Sequence, residues 1–168
     1  MTVTFTITDE DLIAQQRNAL KHTKFHKKTK IMQMIIYVLS VMFVLMLAGV
    51  STNTIFLGFI LTLLLTPLLW KLYEYGLIRR FKKDVLRHNR NKIGDFTLNL
   101  FEKELIKESN NLTEKIQWRE LSRFKEDDER YFLYFSDLNA ITIKKVPDNM
   151  NENEITEYQS FIKRKINN

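Results

Sequence analysis

Residues 31–70 read IMQMIIYVLSVMFVLMLAGVSTNTIFLGFILTLLLTPLLW and hold no Asp, Glu, Lys, Arg or His. A helix needs roughly 20 apolar residues to cross the hydrocarbon core of a bilayer. The run is too long for one crossing and fits two joined by a tight turn. Ser51-Thr52-Asn53-Thr54 is its polar cluster, so the pattern predicts helices over about 31–50 and 55–73. A secretory signal does not fit, because a long polar stretch precedes the run and a signal's apolar core is much shorter.

The flanks give the expected orientation. Lys21, Lys24, Lys27, Lys28 and Lys30 precede the run, Lys71, Arg79, Arg80, Lys82 and Lys83 follow it, and the turn carries no cation. Basic residues near helix ends stay on the cytoplasmic side. The expectation is a multi-pass protein of the cell membrane with both termini cytoplasmic. Tyr37, Trp70, Tyr73 and Tyr75 fall near the inner ends, at the level where amphipathic rings settle. Pro67 lies near the inner end of the second helix. A run without ionisable groups excludes a self-sufficient proton pump or ion transporter, which needs them within the bilayer.

The net charge of +6 is uneven along the chain. Residues 1–30 carry six Lys/Arg against three Asp/Glu, residues 71–93 eight against two, and residues 94–168 twelve against fifteen. The excess belongs to the membrane flanks, and the segment after them is mildly acidic. A nucleic-acid binder would carry its excess on the folded domain, so no nucleic-acid partner is expected. Cysteine is absent, which removes disulfides and thiolate chemistry.

Working outward, Leu72, Tyr75, Leu77, Ile78, Phe81, Val85 and Leu86 recur at helical spacing among cations. Residues 74–93 read as a basic juxtamembrane helix, the second helix running on into the cytoplasm or along the membrane surface. Lys71, Arg79, Arg80, Lys82, Lys83 and Arg87, with Lys27, Lys28 and Lys30 before the hairpin, are candidate contacts to anionic headgroups. Each cation near such a surface is worth on the order of 1 kcal/mol. The plainer alternative is that these cations only set topology.

After Gly94 the pattern alternates. Phe96, Leu98 and Leu100 mark a half-buried strand, Leu105-Ile106 a second, and Leu112, Ile116 and Trp118 a third. Ser109-Asn110-Asn111 reads as a turn. Leu121 and Phe124 lead to an acidic turn at Asp127-Asp128-Glu129. Tyr131–Phe135 is rich in β-formers on both faces, which predicts a strand covered on both sides. Asp137-Leu138-Asn139 turns the chain, and Ala140–Lys145 is the last strand. Ile155, Tyr158, Phe161, Ile162 and Ile166 form the stripe of a closing helix. At the other end of the chain, Val3, Phe5 and Ile7 alternate with Thr2, Thr4, Thr6 and Thr8. A lone strand does not persist in water, so this one is expected to pair with the C-terminal sheet across the hairpin. The expected fold is a two-helix transmembrane hairpin plus an α+β domain, with about seven antiparallel strands in a small barrel or sandwich. Residues 1–30 hold the first strand and a basic segment, 31–73 the hairpin and 94–168 the domain.

Several features look like chemistry and have simpler readings. His22 and His26 stand four apart and could share a helix face, but Lys24, Lys27 and Lys28 surround them and oppose a cation. Asp127, Asp128 and Glu129 are consecutive and lack the alternate spacing of a calcium loop. Asn111-Leu112-Thr113 is a formal glycosylation sequon. Four glycines build no phosphate loop. Trp118 reads as a core residue. The expectation is a non-enzymatic protein without cofactor, metal or small-molecule substrate.

Thr2–Asp11, the hairpin at 31–70, Gly94–Leu100, Trp118 with Leu121, Tyr131–Phe135 and Ala140–Lys145 occur in an order that resembles the YcxB-like family of small bacterial membrane proteins. The resemblance implies a threonine-rich first strand, two membrane helices and a C-terminal domain similar to bacterial PH-like domains. One departure is that the family often ends its last strand in Ile-Pro-Lys, where this chain has Ile143-Lys144-Lys145 and Pro147. The expected function is a membrane-anchored interaction module at the cytoplasmic membrane face that holds a protein partner, a second copy or anionic headgroups. The alternatives are an immunity factor against membrane-active peptides of the bacteriocin type, by analogy alone, and, least favoured, a membrane enzyme.

Overall fold

The computed structural model describes residues 1–88, 92–109, 112–137 and 139–167, with the backbone alone at 85–88, 112 and 167. The chain forms two units, residues 20–80 and residues 1–19 with 81–168.

The first unit is a helical hairpin. Helix α2 spans Lys24–Leu47 and α3 spans Thr52–His88, and α1 (Asp9–His22) precedes them. Both α2 and α3 are long and apolar enough to cross a membrane. Their apolar side chains point outward, with Leu39, Phe43, Leu47 and Leu64 each more than 60% exposed. An exposed apolar surface of that extent marks a protein or membrane contact.

The turn falls earlier than the polar cluster implies. Gly49 takes φ of 64° and its N–H donates to Met46 O at 3.1 Å, closing α2. Ser51 then caps α3, its hydroxyl 3.0 Å from that of Thr54, so Thr52–Thr54 are already helical. Helix α3 is continuous through Pro67 and on to His88, so the basic segment read at 74–93 is, as far as residue 88, the second helix running on.

Thr54, Gly58, Thr62 and Thr66 recur every four residues along α3, a small-residue stripe that permits close backbone approach. A Cβ added at Gly58 would meet Leu45 Cδ1 of α2 at 2.6 Å. The Thr62 and Thr66 hydroxyls donate to Gly58 O and Thr62 O of their own helix at 2.7 and 3.0 Å, so the stripe buries no unpaired hydroxyl there. Gly58→Leu is therefore expected to wedge the helices apart. The check is a crosslink between single cysteines introduced at Met34 and Leu69, which line one groove between the helices; it should fall severalfold, whereas Gly58→Ala displaces only a flexible Leu tip.

The second unit is β-rich. Strands β1 (Thr2–Ile7), β2 (Gly94–Leu100), β3 (Glu104–Ser109) and β4 (Leu112–Gln117) form an antiparallel sheet in sequence order. Strands β5 (Arg123–Glu126), β6 (Arg130–Tyr134) and β7 (Ala140–Lys144) form a second, and α4 (Glu152–Asn167) follows. The seven strands thus make two sheets around a shared core, and no closed barrel. Trp118 lies in a 3₁₀ turn after β4, not within a strand.

The first strand pairs across the hairpin as the threonine alternation predicts, with Val3 opposite Leu98 and Phe5 opposite Phe96. Val3, Phe5 and Ile7 are at most 1% exposed, and each such burial is worth about 1.5–3 kcal/mol. The outer edge of β1 is closed by the loop after β7. Thr4 and Thr6 N–H donate to Asn149 Oδ1 and Asp148 Oδ2 at 2.8 and 3.0 Å, and Asp148 N–H returns a bond to Thr4 O. These bonds occupy an edge that would otherwise recruit another strand.

Strand β6 is covered on both faces. Tyr131 and Leu133 join the core with the first sheet, Tyr158 and Ile162. On the other face lies α1, which the sequence reading missed. Its polar residues Asp11, Gln15 and Asn18 meet the second sheet. Asp11 pairs with Arg130, and Asn18 Oδ1 accepts from the Tyr134 hydroxyl at 2.9 Å. Gln15 spans β7, donating to Ala140 O and accepting from the Thr142 hydroxyl. Helix α1 starts at a reciprocal cap in which Thr8 Oγ1 accepts from Asp11 N–H and Thr8 N–H donates to Asp11 Oδ2 at 2.7 Å.

Candidate membrane-facing site

Among the sequence-derived candidates, Lys27 and Lys28 on α2 and Lys71, Arg79, Arg80, Lys82 and Lys83 on α3 are exposed. Arg87 lies on α3 with its side chain outside the described residues. Lys30 differs from the rest. It is largely buried and forms an ion pair with Glu74, joining α2 to α3. It is a structural cation first, because one of its three N–H donors is already engaged.

A groove lies between the two helices. The groove has a volume of about 160 Å³ and is lined by Gln33, Tyr37, Thr66, Trp70 and Tyr73, among others. Its walls follow from helical spacing. Lys30, Gln33, Met34 and Tyr37 stand at i, i+3, i+4 and i+7 on α2, and Thr66, Leu69, Trp70 and Tyr73 do the same on α3. The sequence showed these rings as an interfacial belt. That they converge with a glutamine needed the helix register, which the misplaced turn obscured.

The β-rich unit offers less. Arg130 binds Asp11, Asp127 and Glu129 together, and such a network positions elements without leaving a free base. The acidic turn is ordered through Asp127, whose Oδ1 accepts from Glu129 and Arg130 N–H at 3.0 and 2.7 Å. Lys107 lies over the Phe96 ring at 4.1 Å, and burial pulls its ammonium below the usual range. Trp118 is core, donating to Phe101 O at 2.9 Å and meeting Phe161 edge-on. His22 ends α1 while His26 follows Thr23, the N-cap of α2, so the two do not share a helix face. No group of three or more His, Cys, Asp or Glu fit for a metal occurs among the described residues. The sequon and the turns at Asn110-Asn111 and Leu138 fall on residues outside the description.

Compared with known proteins, residues 100–163 match the family described as YcxB-like protein, a span from the end of β2 into α4. No curated protein and no solved structure matches the chain.

Proposed function

We propose that this YcxB-like chain is a non-enzymatic, multi-pass protein of the cell membrane whose β-rich unit is a PH-like interaction domain held at the cytoplasmic face. Both termini are cytoplasmic, and the exposed cations of α2 and α3 meet anionic headgroups. The pairing of β1 with β2 carries the reading. The segments entering and leaving the hairpin belong to one sheet, and a sheet forms only if both lie on one side of the membrane. The clustering of Lys and Arg beside those segments favours the cytoplasmic side. Two antiparallel sheets closed by α4 support the PH-like architecture.

The cysteine-free sequence makes the topology directly testable. A single cysteine at Asn53 is expected to react with a membrane-impermeant maleimide on intact cells. One at Lys103 or Glu157 should react only after permeabilisation. Equal labelling of all three on intact cells would overturn the proposed orientation.

A further inference from the structure

We propose that the free edge of β4 is a docking site for an extended peptide segment of another protein, which joins the first sheet as an antiparallel strand and sets an acidic side chain opposite Lys115. The inference rests on reading the β-rich unit as an interaction domain and names the class of its partner.

The two sheets end in four edge strands, β1 and β4 in the first and β5 and β7 in the second. Two of these edges are capped by side chains. On β1, Thr2 O accepts from Asn149 Nδ2 at 3.3 Å, beside the bonds already described at Thr4 and Thr6. On β7, Gln15 donates to Ala140 O at 3.0 Å and the Tyr158 hydroxyl to Lys144 O at 2.9 Å. Strand β5 is the shortest, at four residues. Strand β4 is neither short nor capped. Trp118 N–H donates to Lys103 O at 3.1 Å, in continuation of the β3–β4 register. Inward and outward bonding alternate along an antiparallel strand. Glu114 and Ile116 therefore bond to Lys107 and Leu105, and the N–H and C=O groups of Thr113, Lys115 and Gln117 point away from the sheet. None of these outward groups is bonded to another described residue, and Thr113 and Lys115 are exposed. Such a row of donors and acceptors is matched by an extended backbone.

The side chains along β4 choose among possible strands. In a symmetric pair with a second copy, opposed residues must share a face of the sheet. The two such registers with the longest overlap set Lys115 opposite its own copy, or Glu114 opposite its own copy. Like charges directly opposite are destabilising, so a second copy is a poor occupant. A carboxylate opposite Lys115 has the favourable sign. The Lys115 side chain is 62% exposed, and its ammonium lies 2.9 Å from Glu104 Oε1 on the β3 side. An ammonium has three donors, so N–H groups remain for a carboxylate on the open side. On the other face of the sheet, Ile116 packs against the core. The incoming residues next to the acidic one fall on that face and extend the apolar surface. The matching segment thus alternates apolar and polar residues about a central carboxylate.

The test uses the full-length protein in nonionic micelles and a fluorescent, end-blocked peptide with the core Thr-Val-Glu-Val-Thr, read by anisotropy. The expected result is saturable binding that weakens about tenfold when the peptide's glutamate is N-methylated and changes little when both valines are. In antiparallel addition opposite Lys115 the glutamate N–H faces β4, while the valine N–H groups face away. Exchanging the peptide's glutamate for lysine should weaken binding about threefold, the scale of an exposed ion pair, and Lys115→Glu in the protein should reverse that preference. Lys115→Pro removes an outward donor that the sheet does not use and should weaken both peptides severalfold. Lys115→Glu serves alone where the proline disturbs folding. Equal effects of the two N-methylations, or no saturable binding of the unmodified peptide, would overturn the site. A preference unchanged in Lys115→Glu would overturn the acidic residue opposite Lys115. Ready formation of a disulfide between two copies of Thr113→Cys would give the edge to a second copy and overturn the choice of partner. The maleimide pattern that tests membrane topology is independent of all these outcomes, so the two readings fail separately.

Discussion

Phe5→Ala is expected to destabilise the β-rich unit by about 3–5 kcal/mol, the usual range for removing a buried phenyl ring. Phe5 is 1% exposed, faces Phe96 across the β1–β2 ladder and belongs to the main core. The substitution tests more than packing, because Phe5 sits before the hairpin and its partner after it. If β1 were a dispensable extension, truncation there would cost little. The measurement is the denaturant midpoint of the protein in micelles, followed by the fluorescence of Trp118, a residue of the same core. Thr4→Ala, on the outer face of the same strand, serves as the control and should shift stability by no more than about 0.5 kcal/mol. A Phe5→Ala loss below about 1 kcal/mol would show that the sheet does not depend on its first strand.

Asp11→Ala should cost about 3 kcal/mol, near the lower end of the range for removing one partner of a buried ion pair. The lower end applies because Arg130 retains Asp127 and Glu129, both more exposed than Asp11. Replacing the pair together, as Asp11→Leu with Arg130→Met, should recover much of the loss, since an apolar pair leaves no buried charge uncompensated. Acid gives a second signature. Burial pushes the Asp11 carboxyl up, but hydrogen bonds from Thr8 and Arg130 together with the guanidinium charge outweigh it and hold the group below its usual 3.8. A depressed carboxylate contributes stability that is complete above the unfolded-state value and is lost as pH falls through the lower folded-state value. The stability gap between wild type and Asp11→Asn should therefore be constant above about pH 5 and narrow below about pH 4. A gap that does not change down to pH 2 would mean that Asp11 is not ionised in the folded protein.

The hairpin was legible because an uncharged run of that length has few other uses, and β1 because its alternation leaves a strand with nothing local to pair with. The turn was misplaced because polarity suggested Ser51–Thr54, while the backbone turns at Gly49 and gives those hydroxyls to a helix cap. Helix α1 was missed for a more general reason. The usual signal is an apolar stripe, whereas α1 turns Asp11, Gln15 and Asn18 toward a sheet that offers Arg130, Thr142 and Tyr134 in return. Its local marks were the Thr8–Asp11 cap, an acidic first turn at Asp9–Asp11 and a basic last turn at Lys21-His22. The membrane-flank cations were visible singly, but the role of Lys30 depends on Glu74, 44 positions away, and no local pattern joins them.

The split sheet also sets an order of events during synthesis. Ile7 pairs with Gly94, so β1 leaves the ribosome well before its neighbour exists. At 5–20 residues per second the interval is roughly 4–17 s, and the hairpin is made within it. Throughout that time β1 is an orphan whose threonines keep one face polar. If the hairpin crosses the membrane twice as proposed, the β-rich unit closes only once the chain has returned to the compartment where β1 waits. In that topology folding of the sheet would act as a proofreading step for insertion, because a molecule threaded with a single crossing could not complete its core.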